Sequence, residues 1–225
     1  MNGYCFPDGA GNLRLRTRQP LAQQRYLTKH DVLFTASAPF AGPFGLRAGS
    51  ARTSVAFGSG PTQVIRIDLA GDVLGLEGYG TGIHTTTVVA LENSTFCFVP
   101  QNRLMCAIRE QPALRDDFLG VMARALVNQQ RSAYALGSTS AQQRIASFLL
   151  TLSGRLAERG YATSDFDLRL TRRQIGSLLG LTLETVSRCL SGFEAREMIR
   201  VSGRRIELLD PVALGTLVAC VVQPG

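Results

Sequence analysis

The chain has 225 residues and a mass of 24.3 kDa, with 45% hydrophobic and 18% charged residues. That length supports one large domain or two modest ones, and the composition is too apolar and too weakly charged for a disordered chain. Lys and Arg outnumber Asp and Glu by 24 to 17, giving +7 and a pI near 9.6, a balance compatible with nucleic acid, anionic lipid or acidic partners.

Only Lys29 is a lysine, so an arginine-rich coding composition competes with function as the origin of the charge. No apolar run approaches the roughly 18–20 residues of a membrane helix. The start, Met1 to Asp8, lacks a basic flank and apolar core, so no signal peptide is expected and the protein reads as soluble and cytoplasmic. Cys5, Cys97, Cys106, Cys189 and Cys220 are scattered and odd in number, which fits free thiols in a reducing compartment. With only His30 and His84 as histidines, no metal-ligand spacing is present and no metal is expected.

Residues 1–20 read as an N-terminal extension. Residues 21–111 read as a β-roll domain, with the texture of β-structure from about Leu21 to Pro100. Short apolar runs, Val32 to Phe34, Val64 to Ile67, Thr87 to Leu91 and Thr95 to Val99, alternate with Gly45, Gly49, Gly58, Gly60, Pro61, Gly71 and Gly75. No helical period is visible there. The glycine-rich Gly75 to Gly82 has no following Gly-Lys-Ser/Thr and reads as turns of the roll. His84 reads as a polar surface or hydrogen-bonded residue at a strand edge.

Residues 112–137 read as one long helix. Leu119, Met122, Leu126, Gln129, Ala133 and Leu136 follow a 3, 4, 3, 4, 3 spacing, a seam fitted to an identical partner helix or to the helix's own domain. Gly137 to Ser140 form a break, with Ser140 a plausible N-cap. Residues 138–225 are mostly helical, beginning with a helix from Ala141 to Arg159 whose buried stripe is Ile145, Phe148, Leu149, Leu152 and Leu156.

The most specific signal is Thr171 to Leu190. Thr171 with Gln174 forms a capping-box pattern, and Ile175, Leu178 and Leu179 give the first helix its buried face. Gly176 is small enough for a close helix crossing, and Gly180 ends the helix. Thr182 caps a second helix whose buried stripe is Val186 and Leu190. Helix, glycine turn, helix is the helix-turn-helix pattern. Glu184, Ser187 and Arg188 share the opposite face, and these side chains suit major-groove base edges. Thr171, Arg172, Thr182 and Thr185 are candidate phosphate contacts. Met198 to Leu208 alternates on both sides of Ser202-Gly203, predicting a basic hairpin wing with Arg204 and Arg205 as further phosphate contacts. From Leu168 to Arg205, eight arginines stand against three acids, whereas residues 138–225 carry eleven against eight.

Those motifs resemble the CRP/FNR transcription regulators, within them the FNR branch, over nearly the whole chain after Leu21. The match is densest over Leu168 to Ile199 and Gly71 to Pro100. The resemblance implies an α+β chain: an N-terminal β-roll (cupin-like jelly roll) sensor, a long dimerisation helix and a C-terminal winged helix-turn-helix. It implies a non-enzymatic homodimer that binds double-stranded DNA at palindromic TTGAT-type half-sites through Glu184, Ser187 and Arg188. It also implies activation through RNA polymerase, with the loop Gly160 to Asp167 as the contact surface.

The departures bear on the effector. Cys97 resembles the roll cysteine of FNR, but the N-terminal segment offers only Cys5, so the four thiolates of an iron–sulfur cluster are not expected. The cyclic AMP turn of the CRP branch matches Gly71-Asp72 to His84-Thr85, with Asp for Glu and His for Arg, so cyclic AMP is not expected either. Cys189, next to Arg188, reads as a redox switch or as a small semi-buried apolar residue. A nucleotide- or heme-binding sensor whose DNA output is secondary remains the alternative function.

Overall fold

The computed structural model describes residues 23–56, 58 and 60–219. The extension 1–20, Cys5 and Cys220 lie outside them. The described residues form two compact units that divide between Asn128 and Gln129.

The first unit is built on two four-stranded antiparallel sheets. One has the order β1 (Gln23–Leu27), β8 (Ser94–Phe98), β3 (Phe44–Ala48), β6 (Val73–Leu74). The other runs β2 (Val32–Phe34), β7 (Thr87–Ala90), β4 (Ser50–Val55), β5 (Gln63–Leu69). This is the expected jelly roll. Its core is Leu33, Phe34, Phe44, Leu46, Ala51, Leu74, Val88 and Phe96. By area alone, each fully buried Leu or Phe contributes about 1.5–3 kcal/mol.

Two short elements depart from the sequence reading. Gly78–Thr81 forms a single helical turn, α1, inside the glycine-rich stretch read only as turns. Gly78 is required there, because a Cβ would fall 2.2 Å from the Phe40 ring. Gln101–Glu110 forms a further helix, α2, in the stretch between Pro100 and the long helix for which no element was expected.

His84 also corrects its reading. It is 3% exposed, stacked on Phe34 with ring centroids 3.8 Å apart and edge-on to Phe40 at 5.4 Å. Its Nδ1 lies 3.8 Å from Glu77 Oε1, beyond hydrogen-bond distance, and Glu77 accepts instead from the Thr86 hydroxyl at 2.8 Å. The ring is packed as an aromatic core residue rather than held at a surface.

The long helix, α3, spans Pro112–Ser138. Leu114, Phe118 and Val121 turn inward against Val99, Leu104 and Ala107. The predicted seam lies on other faces. Leu119 and Leu126 are each 58% exposed, Gln129 and Ala133 are exposed, and Met122 and Leu136 are half-buried.

The second unit contains α4 (Ala141–Ala157), β9 (Asp165–Asp167), α5 (Arg172–Leu179), α6 (Leu183–Ala195), β10 (Ile199–Ser202), β11 (Arg205–Leu208) and α7 (Pro211–Ala219). Ser140 caps α4 as expected, and Gln143 completes a capping box with it. The strands form an antiparallel sheet in the order β10-β11-β9. The wing is therefore three-stranded, and the loop read as Gly160 to Asp167 ends at Ser164. Ile145, Leu149, Ile175, Val186, Leu190, Phe193, Ile199, Ile206 and Leu214 are buried in this unit.

Burial lowers the pKa of His84 below its ordinary value, against a partial opposing pull from Glu77. As pH falls through about 6.5 the unfolded chain takes up the His84 proton first, while the folded roll resists it. Stability should therefore decline from pH 7.5 to pH 5.5, and His84→Gln should flatten that decline. Urea unfolding midpoints at the two pH values measure it; an equal decline in both proteins would assign the effect to other groups.

Candidate nucleic-acid interface

Local chemistry fixes both helices of the α5–α6 pair. Thr171 Oγ1 accepts from the Gln174 backbone N–H at 3.2 Å, and Gln174 Oε1 accepts from the Thr171 N–H at 2.8 Å, completing the capping box. Gly180 ends α5 in the left-handed region at φ +63°, where a side chain would be strained. The orphan carbonyl of Leu179 accepts from Arg144 Nη1 at 3.0 Å, and Arg144 Nε donates to the Thr139 carbonyl at 3.0 Å. Thr182 Oγ1 caps α6 by accepting from the Thr185 N–H at 3.2 Å, with the two hydroxyls 3.1 Å apart.

Val186 and Leu190 are buried, so the opposite face of α6 is exposed. Glu184 and Arg188 are exposed there and Ser187 is half-buried. The Glu184 carboxyl is held below its ordinary pKa, first by its own backbone N–H, then by the Thr182 hydroxyl, with Arg188 and Arg173 adding to the effect. It is thus an ionised acceptor. Arg173 was not among the sequence-predicted contacts; its signal was only its membership of the basic cluster. Arg172 Nη1 donates to Ser187 Oγ at 3.2 Å, joining the first helix to the second.

A shallow cleft of about 120 Å³ between the start of α5 and the wing turn is lined by Thr171, Arg172, Gly203 and Arg204. Three of the predicted phosphate contacts therefore converge. Thr182 and Thr185 lie apart from the cleft, at the start of α6. Arg205 does not join either group. Its guanidinium pairs with Asp165 across β11 and β9, through Nε to Oδ1 at 2.7 Å and Nη2 to Oδ2. Sequence reasoning missed Asp165 because β9 has only three residues and no recognisable strand pattern.

Cys189 is buried, and burial pushes its thiol above the ordinary range despite the opposing Arg188 charge. The thiolate is the reactive form, so this geometry does not favour the redox reading. Cys97 is buried in β8 and Cys106 is exposed on α2. Among the described residues no group of three or more His, Cys, Asp or Glu is arranged to hold a metal.

The segment that would bind a cyclic nucleotide does not fit a phosphate. His84 is packed between aromatic rings, and Asp72 Oδ2 accepts from the Leu69 N–H at 2.8 Å within its own turn. The Arg66 guanidinium, which shares this neighbourhood with Asp72 and Glu77, is held by buried Asp68. Carboxylates here would repel an anion.

A jelly roll, a long helix and a winged helix-turn-helix in this order define a sensor-linked DNA-binding regulator. Residues 24–111 match a cyclic nucleotide-binding domain and residues 143–217 a Crp-like helix-turn-helix domain. The chain is 33% identical over 215 residues to the transcriptional regulatory protein Btr of Bordetella pertussis, covering 95% of this chain and 89% of that protein. It is 34% identical over 193 residues to the transcriptional activator protein Anr of Pseudomonas protegens, covering 86% and 79%. The solved structure of FixK2 from Bradyrhizobium japonicum is similar at a TM-score of 0.79 and 28% identity, covering 87% of this chain and 96% of that one. The chain belongs to the CRP/FNR family of transcription regulators. No helix among the described residues is long and apolar enough to cross a membrane.

A Cβ on Gly176 would lie 2.5 Å from the Leu181 carbonyl oxygen. Intrinsic propensity favours Ala over Gly inside a helix by about 1 kcal/mol. Gly176→Ala should nonetheless destabilise the second unit by about 1–3 kcal/mol, the usual cost of overpacking. Denaturant unfolding reads the sign directly, and a more stable variant would refute the close crossing.

Proposed function

We propose that the protein acts as a cytoplasmic homodimer that reads an FNR-like palindrome with TTGAT-type half-sites and activates transcription through RNA polymerase. The observation that carries this reading is the exposed face of α6, where an ionised Glu184, Ser187 and Arg188 stand opposite the buried Val186 and Leu190. Arg188 has the bidentate fork suited to guanine O6 and N7, and Glu184 accepts from cytosine N4. Thr171, Arg172, Thr182, Thr185 and Arg204 contact phosphates and set the register. Arg205 contributes to phosphate binding only if Asp165 releases it.

The working division of the chain is residues 21–111 as sensor, 112–137 as dimerisation helix and 138–225 as DNA-binding domain. The apolar side chains that α3 leaves exposed, Leu119 and Leu126 with half-buried Met122 and Leu136, support its pairing with the same helix of a second copy. Pairing would deliver two α6 helices to successive major grooves about 34 Å apart. The exposed stretch Tyr161 to Ser164 supports the polymerase contact. The roll works without an iron–sulfur cluster or cyclic AMP, a reading supported by the cysteine count and by the packing around His84.

Three substitutions test the reading on a duplex carrying two inverted TTGAT half-sites. Arg188→Ala should lose about 1–3 kcal/mol of discrimination at one base pair. Arg204→Ala should instead weaken every sequence alike and reduce the salt slope by about one. Titrations against half-site variants at two salt concentrations separate these effects, and a footprint indifferent to both changes would remove the DNA assignment. Leu126→Glu should yield monomers in sedimentation experiments and abolish tight binding to the palindrome. A dimeric Leu126→Glu protein would remove α3 as the pairing helix.

A further inference from the structure

We propose that Arg172 is a specificity-determining positioning residue that acts through Ser187, an inference resting on the base-reading role proposed for α6. Guanidinium carries only donors, so the 3.2 Å bond between Arg172 Nη1 and Ser187 Oγ has one direction: Arg172 gives and Ser187 accepts. A serine inside a helix commonly returns its proton to a carbonyl of the preceding turn, which leaves the hydroxyl with nothing to offer a ligand. Among the described residues the Ser187 proton has no such acceptor. Arg172 takes one of the two acceptor sites of the oxygen, and the proton of half-buried Ser187 is free on the face that also bears exposed Glu184 and Arg188.

This arrangement assigns the hydroxyl a polarity. A donor bonded to the oxygen polarises the O–H group and strengthens its own donation, while the guanidinium charge disfavours an approaching amine. Ser187 becomes a donor that selects a base presenting an acceptor in the major groove: thymine O4, guanine O6 or a purine N7. Cytosine, which presents its N4 amine there, is disfavoured by the adjacent guanidinium charge even though the oxygen keeps a second acceptor site. Without Arg172 a serine hydroxyl serves as donor or acceptor and discriminates little. Arg172 thus does more than hold a phosphate, because the first helix sets what the second helix reads. Its position, fifteen residues before Ser187, is reached only because the glycine turn folds α5 back against α6.

The test uses the full chain and a set of duplexes in which each position of an inverted TTGAT repeat carries all four bases. Wild type, Arg172→Ala, Ser187→Ala and the double variant are compared, with thermal melting to confirm that each is folded. The expected result is that both single variants lose discrimination at the same one position, each by about tenfold, and that the double variant loses no more. A common loss of affinity on every duplex in Arg172→Ala, with an unchanged base profile, would overturn the inference and leave the base-reading helix intact. Losses at different positions, or losses that add in the double variant, would also overturn it. Wild-type protein that binds every duplex equally would overturn the base-reading role itself, and the inference with it.

Discussion

The DNA-facing part of this protein depends on one close approach, the crossing of α5 and the following turn at Gly176. The Gly176 carbonyl accepts from both the Gly180 and Leu181 N–H groups, and the space above its Cα is filled by the Leu181 carbonyl. With that spacing fixed, α6 begins where Thr182 can cap it, Val186 and Leu190 fall inward, and Arg172 reaches Ser187. Arg144 reinforces the same corner by tying the end of α5 to the start of α4. The exposed face of α6 is therefore a by-product of packing. Its side chains are presented by a corner whose backbone groups are satisfied on both sides.

Local signals were legible in the sequence and long-range ones were not. Thr171 with Gln174, the Ser140 cap, Thr182 and Gly180 act within four residues of themselves, and each occurs as expected. Strand β4 was missed because its sequence is polar while its surroundings are buried. Ser50 donates to Glu92, and Thr53 donates to Asp68, partners that lie 42 and 15 residues away. Nothing in Ser50 to Val55 announces those bonds. His84 failed for the same reason, since the rings that bury it come from Phe34 and Phe40. The segment that forms α2 buries only Leu104 and Ala107, a stripe too short to mark a helical period before Pro112.

The long helix shows how one pattern can hide another. The 3, 4 spacing of Leu119, Met122 and Leu126 is a genuine stripe, but Leu114, Phe118 and Val121 make a second one on the same helix. One side chain cannot serve both the roll and a partner. The helix divides them, so the first half is anchored to the roll by Leu114 and Val121 while Leu119 and Leu126 stay exposed. A helix anchored on one face and apolar on another is suited to carry an interface without losing its own fold.

Charge is the property that the structure redistributes most. Counted from Leu168 to Arg205, eight arginines face three acids, but the boundary of that window leaves out Asp165, Asp167 and Glu207. Each of these acids pairs with an arginine inside it: Asp165 with Arg205, Asp167 with Arg169 and Glu207 with Arg200. Over residues 165–207 the count becomes eight against six. The wing is therefore close to neutral along its strands, and such exposed pairs contribute little to stability. Their effect is to spend positive charge where it would bind any polyanion. Among the described residues, Arg172 and Arg204 face no carboxylate within ion-pair distance, and both line the cleft between α5 and the wing turn. Specific binding needs a positive potential concentrated at a few points that fix register, rather than one spread over a surface. The paired arginines supply that contrast, so the feature that distinguishes this domain electrostatically is the placement of its unpaired arginines, not its total charge.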